Sequence, residues 1–159
     1  MKKYELLVDD TITFFGVQLF RIKALISFSG IEKGEVGGYV ASEKNLSQSG
    51  DAWVSGDAWV SGNAEVYGDA EVSGNAWVSG DAEVYGNANY IVFKNTWSSG
   101  RYFTYTKSNK MWRVGCFYGN GYELIEKAYK DSQKSGDFYK AYVEFVEKLE
   151  EIEKIHKEQ

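Results

Sequence analysis

The residues whose types best suit ligand binding are concentrated between positions 91 and 121. From residue 87 to residue 122 the chain has five basic side chains and no acidic one. Aromatic residues alternate with these bases. Rings that can stack on a base, beside cations that can hold phosphate, are what a nucleotide or a single-stranded nucleic acid requires. The predicted ligand-binding residues are Arg101, Tyr102, Tyr105, Lys110, Trp112, Arg113 and Tyr118.

The same segment has an alternative interpretation as a compact β structure. The β-rich runs Tyr102–Thr106 and Met111–Phe117 are joined by the polar residues KSNK, which predicts a hairpin. Its aromatic side chains would then form a core, and its bases would be solvated or paired with acidic residues elsewhere. Cys116 alternates with Val114, so it is predicted to be a structural thiol within a strand.

Residue types for acid–base catalysis or metal binding are scarce. His156 is the only histidine, and no His, Lys or Cys occurs between Asn45 and Tyr90. A general base is therefore missing from that stretch unless a carboxylate takes the role. Glu65 and Glu83 could hold a divalent cation if they were aligned, but a solvated acidic face accounts for them more simply. We predict no catalytic residue, no metal and no cofactor.

The elements that position these residues surround a strict internal repeat. Residues 51–86, here called the repeat block, read DAWVSG DAWVSG NAEVYG DAEVSG NAWVSG DAEVYG. Because strand residues alternate sides, the Ala and Val of each unit face one way and the third and fifth residues face the other. A Gly followed by Asp or Asn then turns the chain. Residues of the same type recur every eighteen residues. Because eighteen residues make three hexapeptides, this offset predicts three sides per turn.

This pattern resembles the hexapeptide-repeat proteins, which form left-handed parallel β-helices and are usually trimers. The resemblance implies a mainly β fold, a three-sided left-handed parallel β-helix with β caps and a C-terminal α-helical tail. It also implies a homotrimer that buries the outward aromatic residues; a partner-protein surface is the alternative. The interface residues predicted on the repeat are Trp53, Trp59, Tyr67, Trp77 and Tyr85.

Two further implications come from likeness to known proteins. Many hexapeptide-repeat proteins are acyltransferases with an interfacial histidine as general base, which the repeat block lacks. The elements WSSGR and GCFYG resemble C-terminal modules found beside such repeats in phage and prophage proteins. That likeness spans about thirty residues and favours a virus-encoded accessory protein.

Four regions are predicted along the chain. They are an N-terminal β cap (1–36), the β-helix coil (37–90), a basic aromatic β-hairpin module (91–121) and a helical tail (122–159). In the tail, a first helix over Tyr122–Lys134 is followed by a break with Asp137 as N-cap and a second helix from Phe138 to about Lys157. A heptad-like stripe on the second helix predicts further interface residues. These are Phe138, Tyr142, Phe145, Leu149 and Ile152.

Charge and composition bound the function. The net charge is −5, and the repeat block has seven acids and no base, so it should not bind the phosphates of duplex nucleic acid. The single cysteine and the lack of a long apolar run predict a cytoplasmic protein. We expect a non-catalytic, phage-encoded binding protein that inhibits or sequesters a host defence factor. That factor would be a small signalling nucleotide or a protein partner; a hexapeptide-family acyltransferase and a structural trimeric scaffold are the alternatives.

Overall fold

The computed structural model describes residues 1–157, and the elements below are those found within that range. Two short 3₁₀ turns, Glu43–Asn45 and Asn87–Asn89, flank the repeat block. The strands are β1 (Tyr4–Phe14), β2 (Val17–Ala24), β3 (Val36–Val40), β4 (Trp53–Val54), β5 (Trp59–Val60), β6 (Glu65–Val66), β7 (Glu71–Val72), β8 (Trp77–Val78), β9 (Glu83–Val84), β10 (Tyr90–Lys94), β11 (Tyr102–Thr106), β12 (Met111–Val114) and β13 (Phe117–Asn120). The helices are α1 (Gly121–Asp131) and α2 (Gln133–Lys157).

The predicted fold class, a three-sided left-handed parallel β-helix with caps, is wrong. The strands form several small sheets of mixed type. One sheet has the order β1-β2-β3-β5-β8, in which β1, β2 and β3 pair antiparallel and β3, β5 and β8 pair parallel. The strands β10 to β13 form a separate antiparallel sheet. The remaining pairs, β4–β7 and β6–β9, are two-stranded parallel sheets.

The reason for this difference lies in strand length. Residues eighteen apart do pair, for example Trp59 with Trp77 and Glu65 with Glu83, but each of these strands is two residues long. The apolar runs outside the repeat block form longer strands, and tight turns such as Phe15-Gly16 join them as antiparallel neighbours. Most of the regular pairing is therefore antiparallel.

Ala and Val form the interior of the repeat block. Every Ala and Val at the second and fourth positions of the six hexapeptides is fully buried, at 0% exposure. The closing glycines, such as Gly56 and Gly62 with φ of +62° and +63°, adopt the left-handed conformation that turns the chain. The alternation predicted from the sequence is therefore confirmed for this row of residues.

The tryptophans on the other side of the strands are covered by the N-terminal hairpin. Trp53 and Trp59 are 1% and 4% exposed. The ring of Phe14, at the end of β1, lies 5.4 Å from that of Trp59, and the ring of Phe28 lies 5.4 Å from that of Trp53. Phe14 also contacts Trp77 at 4.8 Å. The chain itself buries this apolar row, so its burial requires no second subunit.

A second core lies between the β10–β13 sheet and the two helices. Asn120 and Glu123 form a capping box that begins α1, and α2 begins at Gln133, so Asp137 lies inside α2 and is not its N-cap. The prediction of a strand at Cys116 is also wrong, because this residue is exposed in the turn between β12 and β13. The buried members of this core are Phe103, Tyr105, Trp112, Leu124, Ala128, Tyr139, Val143 and Val146.

Candidate functional site

The seven residues predicted to bind a ligand lie in four different environments. Tyr105 and Trp112 belong to the second core, at 3% and 2% exposure. The Tyr105 hydroxyl donates a hydrogen bond to Glu150 of α2, and burial with this contact raises its pKa. The Trp112 ring lies 4.8 Å from that of Tyr105 and 6.1 Å from that of Phe93. Neither ring presents a free face on which a base could stack.

Two lysines of the basic block are paired with acids of α2. The Lys110 Nζ lies 2.9 Å from a Glu150 carboxylate oxygen. The Lys107 Nζ lies 2.6 Å from Glu153, and this hydrogen bond lowers the pKa of the Glu153 carboxyl. These two bases are therefore paired with acidic residues of the same chain, as in the alternative interpretation of the segment.

Arg113 and Tyr118 lie between the β10–β13 sheet and the rest of the molecule. The Arg113 guanidinium is centred 5.3 Å from the ring of Trp59, and burial lowers its pKa. The Tyr118 hydroxyl accepts a hydrogen bond from the Asn109 amide at 2.9 Å and donates to the carbonyl of Ser79 at 3.4 Å. Both residues therefore tie the sheet to the repeat block.

Arg101 and Tyr102 remain exposed. Arg101 borders a small cleft of about 160 Å³ beside Cys116, and the Lys94 ammonium lies 5.8 Å from the ring of Tyr102. The seven predicted residues are thus not gathered around one cleft. The shared ligand site stays a prediction, with Arg101, Tyr102 and the ion-paired Lys110 as its exposed members.

The interface residues predicted from the sequence also divide into two groups. Trp53, Trp59 and Trp77 pack against the N-terminal hairpin, whereas Tyr67 is half-buried and Tyr85 is 52% exposed. On α2, three of the predicted residues are exposed and two are half-buried. The exposed ones are Phe138, Phe145 and Ile152, and the half-buried ones are Tyr142 and Leu149.

The structure brings together two acids and two tyrosines on one exposed side of the repeat block. Glu65 and Glu83 are paired positions of β6 and β9, and both side chains are exposed. One position further along the same side, the rings of Tyr67 and Tyr85 lie 5.7 Å apart at 32°. We call these four residues, Glu65, Tyr67, Glu83 and Tyr85, the Glu–Tyr face. Both pairs result from the eighteen-residue offset, because it aligns residues of the same type on neighbouring strands.

The surroundings of the Glu–Tyr face are concave and acidic on one side. A groove of about 390 Å³ beside Glu65 and Tyr67 is also lined by Glu43 and Lys44. Desolvation, and then the neighbouring Glu83 carboxylate, raise the pKa of the Tyr67 hydroxyl. A cleft of about 340 Å³ lies beyond Tyr85, where α2 approaches the repeat block.

This arrangement suits a cationic ligand. Carboxylates supply charge and hydrogen-bond acceptors, and the face of a tyrosine ring attracts a guanidinium or an ammonium group. The sequence analysis identified each of these residues but assigned the glutamates to a solvated face and the tyrosines to a subunit contact. Two signals in the sequence could have placed these residues together. They occupy positions on the same side of the strands, and the members of each pair are eighteen residues apart.

Lys3 is a buried amine outside this face. It is 1% exposed, its Nζ donates to the carbonyl of Ala52 at 2.5 Å, and it lies 5.0 Å from the ring of Phe28. Burial lowers its pKa from 10.5 to about 8, against a smaller opposing effect of Asp51. These contacts join the N-terminus to the repeat block, and we assign Lys3 a structural role.

Lys3 should make the stability of the protein rise with pH in the alkaline range. The folded protein loses this proton near pH 8 and the unfolded chain keeps it to about 10.5, so the unfolded state binds more protons between those values. We expect the free energy of unfolding to rise by about 2 kcal/mol between about pH 8 and pH 10, relative to a Lys3→Met variant. Urea titrations of both proteins across this range measure the difference. Parallel pH profiles would contradict the assignment.

Neither a metal-ligand cluster nor a membrane-spanning helix is found in the described part of the chain. Among residues 1–157 there is no group of three or more His, Cys, Asp or Glu side chains arranged to hold a metal ion. Neither helix in that range is both long and apolar enough to cross a membrane. No protein-family model matches the chain, and no curated protein matches it.

Proposed function

We propose that this protein is a non-catalytic binding protein whose Glu–Tyr face holds a basic segment of a protein partner. The observation that carries this proposal is the pairing of Glu65 with Glu83 beside the adjacent, tilted rings of Tyr67 and Tyr85. The repeat block has no basic residue, and Lys44 in the same groove donates its hydrogen bond to Asn63. An arginine-rich segment could pair with the glutamates and lie across the tyrosine rings.

An inhibitory role follows if the partner is a host protein that uses basic residues to hold nucleic acid. The acidic repeat block would then occupy the surface on which that protein binds phosphates. This is the protein-partner version of the role expected from the likeness to phage-type modules. The nucleotide version has less support, because Lys107 and Lys110 pair with acids and Tyr105 and Trp112 are buried. A cytoplasmic location belongs to the same proposal, since the one cysteine is an exposed free thiol.

The homotrimer expected from the resemblance would bury the outward aromatic residues of the repeat block, including the tryptophan row. Trp53 and Trp59 are already covered by the N-terminal hairpin, so this row does not support a trimer. Any association of copies needs another surface.

Binding of a fluorescein-labelled oligo-arginine peptide, followed by fluorescence anisotropy, tests the proposed function. We expect a Glu65→Gln/Glu83→Gln variant to bind about tenfold more weakly, because two charge-assisted contacts are lost. The affinity of the wild-type protein should also fall as salt is raised, since these groups are exposed.

A matched control separates this face from the general acidity of the repeat block. The variant Asp51→Asn/Asp69→Asn removes the same charge from two exposed turn positions, where Asn already occurs at other turns such as Asn63. Asp69 follows Tyr67 by only two residues, so this variant weakens the acidic field at the face but removes no direct contact, and we expect it to lose about threefold in affinity or less. Equal losses in both variants, or no binding of the peptide to the wild-type protein, would overturn the proposal.

A further inference from the structure

An apolar row lies on the outer side of α2. Phe138, Phe145, Ile152 and Ile155 are 39%, 51%, 43% and 49% exposed. The first three are spaced by seven residues, and Ile155 follows three residues after Ile152. We call these four residues the α2 seam. A single exposed Leu or Ile is ordinary, but four large side chains in one row are an unpartnered surface.

This row is distinct from the side of α2 that packs on the body of the protein. The core-facing residues are Tyr139, Val143 and Val146, at 8%, 3% and 2% exposure. With 3.6 residues per turn, the α2 seam lies about 145° around the helix from them. The core-facing row is covered by the rest of the protein, whereas each side chain of the seam keeps 39–51% of its surface exposed.

Each of the two phenylalanines of the seam also contacts one aromatic ring of the body. The Phe138 ring stacks on Trp97 at 4.5 Å, and the Phe145 ring meets Phe93 edge-on at 6.4 Å. These contacts hold the rings in place. Because the orientation of the exposed parts is fixed in advance, a partner would not have to order them, which lowers the entropic cost of binding.

We propose that the α2 seam packs against the same seam of a second copy of this chain, with the two helices parallel. The seven-residue spacing is that of a coiled-coil interface, in which position a takes Phe138, Phe145 and Ile152. Position d then takes Ala141, Lys148 and Ile155. A second copy supplies the same period and register, so that each position meets its own equivalent across the interface.

The charges that flank the seam select the parallel orientation. The row on one side, at position g, is entirely acidic: Asp137, Glu144 and Glu151. An antiparallel pair would bring the two acidic rows together, and like charges in this position repel. A parallel pair places the acidic row opposite position e of the other copy. That position is occupied by Tyr142, Leu149 and His156.

The strength of this association should be modest. One helix face offers less than the roughly 800 Å² per partner of a standard interface. Lys148 also brings a charge into position d of each copy, which weakens packing there. We therefore expect a concentration-dependent equilibrium with a dissociation constant in the micromolar range, about 10 to 100 μM.

Sedimentation velocity of the full chain at about 5 to 300 μM tests the inference. The wild-type protein should pass from monomer to a larger species across this range. A Phe145→Glu/Ile152→Glu variant should stay monomeric, whereas Lys140→Glu makes the same change in net charge on an exposed position outside the seam and should associate like wild type. A wild-type protein that stays monomeric throughout, or association that survives in the seam variant, would overturn the inference.

Two further variants make the test independent of any loss of folding. Lys148→Leu removes the charge from position d, and we expect association at least tenfold tighter. Ile155→Cys in a Cys116→Ser background should form an intermolecular disulfide on mild oxidation, because parallel helices bring the two residues 155 together. Unchanged association in the first variant would overturn the role of the seam, and a failure to cross-link in the second would overturn the parallel orientation.

Discussion

Replacement of Trp53 by Ala is expected to lower the free energy of unfolding by about 3–5 kcal/mol. This indole is 1% exposed and lies where the N-terminal segment meets the repeat block. Its ring is 6.4 Å from that of Tyr4 and 5.4 Å from that of Phe28. The cavity left by Ala could be filled only if Tyr4 and Phe28 moved inward, and such relaxation is partial. Urea unfolding followed by circular dichroism measures the loss.

Two controls show whether this loss comes from packing. Tyr85→Ala removes a ring that is 52% exposed in the same repeat block, and it should cost less than about 1 kcal/mol. Trp53→Phe keeps an aromatic ring and removes the indole N–H, which has no hydrogen-bond partner within residues 1–157. Its cost should be about half that of Trp53→Ala or less. Similar losses for Trp53→Ala and Tyr85→Ala would contradict the inference that the N-terminal segment buries this face.

Gly38→Ala is expected to cost about 3 kcal/mol or to prevent folding, because the new methyl group has no space. An ideal Cβ at this position would lie 2.5 Å from the carbonyl oxygen of Ala58 and 2.8 Å from Cγ1 of Val54. The first of these is backbone, in a segment paired on both sides. The φ of Gly38 is outside the left-handed region, so steric overlap is the cause of the loss.

Gly86→Ala is the matched control for this steric argument. Gly86 has an extended backbone with φ of −163°, and the nearest atom to its ideal Cβ is the Asn89 Oδ1 at 3.7 Å. We expect this variant to match wild type or to be more stable by up to about 1 kcal/mol, since Ala restricts the unfolded chain. Thermal unfolding of both variants gives the comparison. If the two glycines respond alike, close packing of β3 on the repeat block is not the reason.

Two ion pairs formed by α2 explain why the candidate site differs from the one predicted from the sequence. The bases between 91 and 121 were the most conspicuous feature of composition, but Glu150 and Glu153 of α2 neutralise Lys110 and Lys107. These partners are 40 and 46 residues away along the chain. Neither periodicity nor composition reports such a contact, which only the docking of α2 on the sheet creates.

The sequence also did not determine which side of α2 packs on the rest of the protein. Two apolar rows run along this helix, one through Phe138 and Phe145 and the other through Tyr139 and Val143. Heptad spacing favoured the first row as a subunit interface, and it identified no row that packs within the chain. The sheet β10–β13 instead contacts the second row, whose residues are the buried ones. Amphipathic spacing shows that apolar rows exist, whereas the choice between them depends on the surface against which the helix docks.

The sequence by itself determined the features that depend on local chemistry. The Ala and Val interior follows from strand alternation, the turn glycines follow from the need for positive φ, and the β11–β12 hairpin follows from two β-rich runs around a polar tetrapeptide. Tertiary structure alone decided the sheet organisation, the cover over the tryptophans and the pairing of the basic block. Each of these depends on contacts between segments far apart in the chain, where several partners were chemically acceptable and packing selected one.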